Sequence, residues 1–114
     1  MTIIIDVIIL VIYNTMYKDV INYKLAEWVT PEHLFWVAQK VYDDWMSKQP
    51  WFIKREIHTD EDGEYFDLVY RESKEAMEKS NGAMTNMPHS DAWFWCYEMT
   101  SINSKGITVQ RSFG

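Results

Sequence analysis

Three histidines, one cysteine and seventeen acidic residues are the groups in this 114-residue chain that could do acid–base, nucleophilic or metal chemistry. Their spacing assembles no familiar device. His33, His58 and His89 fall at a helix start, in a strand and in a turn, with no H-x-x-x-H or Cys/His pattern, so no metal site is expected. His33 and His89 read as surface or capping residues. Asp60-Glu61-Asp62-Gly63 lacks the regular oxygen-ligand spacing of a calcium loop and reads as a tight solvated turn. Asp67 and Arg71 sit four apart on one strand face; an ion pair within the face or between subunits is the first reading, an anchor for a polar ligand the second. Cys96, between Trp95 and Tyr97, reads as a small buried hydrophobe rather than a reactive thiol. No Gly-rich phosphate loop and no G-x-S-x-G occur. What the chain has in excess is aromatic: six Trp, seven Tyr and five Phe, more than a small core needs. Such a surplus points to a ligand cleft or an oligomer interface.

The elements that must position these groups follow from periodicity. Residues 49–76 are the organising stretch. Residues 51–59 alternate, with Ile53 and Ile57 opposite Lys54, Glu56 and His58. Asp62-Gly63 supplies a hairpin turn, and Phe66, Leu68 and Tyr70 then alternate with Tyr65, Asp67 and Arg71. Upstream, 19–26 reads as a half-buried strand with Ile21, Tyr23 and Leu25 opposite Asn22 and Lys24. Thr30-Pro31 caps and starts a helix over 31–48, whose core stripe is Leu34, Ala38, Val41 and Trp45. Downstream, Ser73 caps a helix over 73–85, Ser90 caps a short helix through Trp93, Phe94, Trp95 and Tyr97, and 106–113 is a last alternating strand. The order β-α-β-β-α-β predicts an α+β, ferredoxin-like fold: a four-stranded antiparallel sheet with both helices on one face. Its other face, taken to carry Tyr65 and Val69, would be buried against a second copy, giving a homodimer.

One domain over 16–114 is expected, preceded by an apolar extension over 1–15. The run at 3–13, IIIDVIILVIY, is too short to span a bilayer, which takes about 20 residues, and lacks signal-peptide flanks. It reads either as an extra, covered strand or as a leader ahead of a natural start at Met16. A net charge of −6 with no basic cluster argues against nucleic-acid and membrane partners. A single cysteine suits a reducing, cytoplasmic setting.

Residues 16–114 resemble the dimeric α+β-barrel proteins related to antibiotic-biosynthesis monooxygenases. The resemblance lies in Met16 followed by the strand DVINYKL, the Q-P-W-F transition at 49–52, and the hairpin DEDGEYFDLVYRESKEAM. It extends to the region of Met87, His89, Trp93 and Phe94. It implies a cofactor-independent monooxygenase, with no metal, flavin or haem. Its substrate would be a small aromatic or polyketide-type compound that supplies its own electrons, held in a pocket between helices and sheet. The strand position ahead of the Glu72-Ser73 pair is often Trp in such sequences; here Tyr70 takes it, and Tyr23 offers a second hydroxyl to the same cleft. Tyr70 and Tyr23 are thus the implied catalytic pair, with Trp93, Phe94, Trp36 and His89 as ligand-binding residues. The haem-degrading branch would want Asn, Trp and His where this chain offers an outward Asn22, Tyr70 and an early His89, so that activity is not expected. The alternative within the same fold is a non-catalytic, ligand-binding or structural dimer.

Overall fold

Thr30 and Pro31 start the longest helix as their chemistry requires. The Thr30 hydroxyl accepts from the His33 amide at 3.1 Å, and Pro31 takes the first turn, where a missing N–H costs nothing. The computed structural model describes residues 17–75 and 87–114. In chain order these form β1 (Tyr17–Tyr23), α1 (Pro31–Asp44), a 3-10 turn (Met46–Lys48) and β2 (Phe52–Thr59). There follow β3 (Tyr65–Arg71), α2 (Ser90–Phe94), a second 3-10 turn (Met99–Ser101) and β4 (Asn103–Thr108). The four strands make one antiparallel sheet in the order β2-β3-β1-β4, the ferredoxin-like α+β arrangement. The extension over 1–15 lies outside the described residues. So does most of the helix expected over 73–85, of which Lys74 and Glu75 are helical.

The β2–β3 hairpin sets the register of everything above it. Asp60 organises its turn: one carboxylate oxygen accepts from the amides of Asp62 and Glu64, each at 2.9 Å, and Gly63 takes φ 78°, which a side chain would resist. That turn pairs Thr59 with Tyr65, Ile57 with Asp67 and Arg55 with Val69. A bulge between Phe52 and Lys54 then absorbs Ile53, so Phe52 and Arg55 both lie on the side of Arg71 and Val69.

Leu34, Val37 and Val41 bury the inner stripe of α1 against Tyr23, Tyr65 and Val69 of the sheet. Each such side chain contributes about 1.5–3 kcal/mol relative to exposure. Trp45 and Trp51 close one end edge to face at 5.7 Å. At the β1–β4 edge the Tyr17 ring lies directly over Gly106, where a Cβ would fall 1.3 Å from its hydroxyl.

Several expectations change. Tyr65 and Val69 face the helices; the open face carries Phe66, Leu68 and Tyr70, because β1 and β2 lock the opposite parity of β3 inward. The last strand begins at Asn103, three residues early, since its pairing with β1 ends at Tyr17–Thr108. The cap of α2 is His89, in the left-handed region at φ 65°, and not Ser90, which lies inside the helix.

Candidate functional site

The inward parity of β3 alternates aromatic, acid, aliphatic and base: Tyr65, Asp67, Val69 and Arg71. Asp67 is fully buried, so its charge needs a partner. Arg55, diagonally across on β2, supplies one. Its Nε donates to Oδ1 at 2.8 Å and its Nη2 donates to Oδ2, a two-pronged pair with the arginine side chain 5% exposed and the aspartate 0%. Burial works against the Arg55 charge, but Asp67 outweighs it and holds the guanidinium above its ordinary pKa.

Aromatic rings enclose this pair. The guanidinium carbon lies 4.4 Å from the centre of the Trp93 ring, and the Trp93 indole N–H donates to the Tyr97 hydroxyl. Tyr97 is brought in by a bridge to Leu25, flanked by Ala26 N–Cys96 O and Glu98 N–Lys24 O bonds of 2.9 and 2.8 Å. Its ring centre sits 4.0 Å from that of Tyr23, which stacks on Tyr65 at 5.8 Å. Burial, with the Asp67 charge nearby, pushes both the Tyr23 and Tyr97 hydroxyls far above the ordinary phenol value. Both stay neutral. The buried Tyr23 hydroxyl and Arg55 Nη1 find no hydrogen-bond partner among the described residues. Cys96 is fully buried and its thiol is pushed up by burial, as suits an inert hydrophobe.

Arg55 also reaches a cavity. Between α1 and β2 lies a cleft of about 360 Å³ lined by Phe35, Ala38, Gln39, Tyr42, Arg55 and Ile57. Two aromatic walls, one amide and one fixed cation suit a flat ligand that carries an anionic or polarisable oxygen.

The residues singled out from sequence do not all meet there. Tyr23 and Trp93 belong to the cluster behind Arg55. Tyr70 does not: it points to the open face, donating to Glu56 Oε1 at 2.8 Å, with Lys54 and Lys18 ammonium groups 4.5 and 5.0 Å from its ring centre. That hydrogen bond, with one from His58, holds the Glu56 carboxyl below its usual range. The residue next to Glu72-Ser73 that faces the helices is Arg71, stacked on Trp51 at 4.1 Å and 3.6 Å from Asp19. Asp67 and Arg71 share a face as expected, yet each takes a different ionic partner. Phe94 lies parallel to Trp93, its centre 6.1 Å away, and is 42% exposed; Trp36 is 59% exposed on the outside of α1. His89 joins α2 to the end of α1 through a 2.6 Å contact with Asp44, whose carboxyl it holds below the ordinary value. Arg55, Tyr97 and the cleft residues Phe35 and Tyr42 were not singled out. Counting back from the Asp60 turn would have put Arg55 beside Asp67 on the apolar face.

Solved structures share this fold. SnoaB, a cofactor-independent oxygenase from Streptomyces nogalater, matches with a TM-score of 0.69 at 13% identity, over 86% of this chain and 96% of its own. Hydroxynitrile lyase from Passiflora edulis matches at 0.66 and 10% identity, over 89% and 99%. A monooxygenase from ActVA-Orf6 of Streptomyces coelicolor, in complex with Nanaomycin D, matches at 0.63 and 14%, over 88% and 92%. The chain therefore shares its ferredoxin-like α+β fold with these proteins and with an antibiotic-biosynthesis monooxygenase from Chloroflexus aurantiacus described as putative. No family model and no curated protein match the sequence. Among the described residues no helix is long and apolar enough to cross a membrane.

Proposed function

We propose that the protein binds a small aromatic hydroxy compound in the α1–β2 cleft and oxidises it with dioxygen, the substrate supplying the electrons. The observation that carries this reading is the cleft of about 360 Å³ lined in part by Arg55, whose cation is held in place by Asp67 and Trp93. A phenol becomes a reductant for dioxygen chiefly as its phenolate, and a preorganised guanidinium beside the cleft favours that anion. Phe35, Tyr42 and Ile57 would hold the ring flat. For an anthrone-type substrate the balance is closed. The ring methylene loses two hydrogens, one oxygen atom becomes the new carbonyl, and the other leaves as water. The fold is shared with an oxygenase described as cofactor-independent, which supports this reaction class, and also with a hydroxynitrile lyase.

A second reading, binding without turnover, draws on a specific observation: the Tyr23 and Tyr97 hydroxyls are sealed behind Arg55 in a packed interior, away from the cleft. Oxygen uptake over a panel of hydroxynaphthalenes and anthrones separates the two. Turnover with equal consumption of oxygen and substrate, abolished by the cleft-filling Ala38→Phe, supports oxidation. Ligand binding that Ala38→Phe removes, with no oxygen uptake, leaves the binding protein.

The same reading includes a homodimer in the cytoplasm. Val20, Phe66, Leu68 and Tyr70 share the sheet face that no described helix covers. Packing it on a second copy would give a mass of twice 13.7 kDa in solution.

A further inference from the structure

A second aromatic site lies outside the cleft. Trp28, in the turn between β1 and α1, is 57% exposed, and Trp95, just past α2, is 69% exposed. No core requirement explains two tryptophans in water. Their ring centres lie 5.9 Å apart with planes at 73°, and the His33 ring closes a third side 5.8 Å from Trp28. This corner borders a hollow of about 350 Å³ lined by Trp28, His33, Asp91, Ala92 and Trp95. Trp28, Asp91 and Trp95 also line a second hollow, of about 430 Å³.

The chemistry of this corner selects a class of ligand. The two indoles pack edge to face near a right angle and stay more than half exposed, so ring face remains open to a cation within about 6 Å of a ring centre. Asp91 lines both hollows, and among the described residues no cation pairs with it. The net charge of −6 draws cations toward the surface. A sugar would need several hydrogen-bonding groups around its hydroxyls, and here one carboxylate and one imidazole are on offer. A compact ammonium with methyl groups needs none, because its charge is spread over apolar surface that the indoles can cover.

We infer that Trp28, Trp95, His33 and Asp91 form a recognition site for a quaternary or methylated ammonium group, independent of the Arg55 cleft. The two sites have opposite charge preferences, so one ligand class cannot fill both.

Choline and its neutral isostere 3,3-dimethylbutan-1-ol, which share a shape, test this in the full chain by calorimetric titration. Choline should bind at least about fivefold more tightly than the isostere. Trp95→Leu and Asp91→Asn should each weaken choline by about three- to tenfold, with thermal midpoint and oligomer mass unchanged, since both side chains are on the surface. Equal binding of choline and isostere would reduce the corner to an apolar hollow and overturn the inference. So would choline binding that survives Trp95→Leu, or no saturable binding at all. The isostere comparison uses the unaltered protein, so a variant that folds poorly cannot obscure the result.

Discussion

Replacing Asp67 with Ala removes one half of a buried ion pair and leaves the other in place. The Arg55 side chain is 5% exposed, and among the described residues its one ionic partner is Asp67, held through Nε and Nη2. The stranded guanidinium should cost about 3–5 kcal/mol. A domain of this size has a total stability of about 5–15 kcal/mol, so the loss is a large share of it. At roughly 4 °C per kcal/mol the midpoint should fall on the order of 12–20 °C. Urea titration, read as a change of midpoint at constant slope, measures the same quantity. The double variant Arg55→Met/Asp67→Leu should recover most of that loss or exceed the parent, because apolar residues of similar volume need no desolvated charge. Asp67→Asn should fall between, since its amide oxygen still accepts one bond. A cost under about 1 kcal/mol for Asp67→Ala would refute the reasoning: the cleft would then be solvating Arg55 well enough to make its partner dispensable. A double variant as unstable as the single would show that shape, not charge, sets the energy.

Four further outcomes follow from the structure. Gly106→Ala should cost about 1–3 kcal/mol by driving the Tyr17 ring off β4, measured by denaturation, and the loss should shrink in a Tyr17→Val background. Tyr23→Phe should be neutral or stabilising by about 1 kcal/mol, because the deleted hydroxyl is buried without a described partner. The folded-state pKa values of Tyr23 and Tyr97 are raised above the ordinary 10.0, so stability is complete below pH 10 and falls as pH rises beyond it; Tyr23→Phe should flatten that alkaline fall in a pH–melting series. Tyr70→Phe should leave any oxidase turnover unchanged, since its hydroxyl meets Glu56 on the far face of the sheet, and a loss of turnover would return Tyr70 to the site.

How far the site could be read from sequence depended on parity. The hairpin, the Thr30-Pro31 helix start and the strand order are local or topological, and periodicity with turn chemistry carries them. The face on which Tyr70 lies is not local. It is fixed by which residues of β1 and β2 share its side, and two strands with apolar groups on both faces do not declare that. Asp67 and Arg71 looked polar and therefore outward, yet they point inward because Arg55 and Asp19 neutralise them there. The bulge at Ile53 hides the answer further, since strict alternation from Phe52 would turn Arg55 outward. Trp28 and Trp95 stand 67 positions apart, so only the folded chain brings them together.

The Arg55–Asp67 pair also bears on function through its energetics. A buried ion pair is a poor device for stability, and an apolar pair of equal volume would serve the core as well. What an apolar pair cannot do is present a cation of fixed orientation to the cleft wall. Asp67 grips one edge of the guanidinium through two N–H groups and Trp93 covers a face, so little orientational freedom remains. A charge already oriented before a ligand arrives needs no reorganisation when an oxyanion forms beside it. The Arg55→Met/Asp67→Leu protein is therefore the informative object. If it melts as high as the parent yet no longer binds a hydroxynaphthalene, the pair is there for the ligand. If it binds as before, the cleft works through Phe35, Tyr42 and Gln39, and the charge belongs to the fold alone.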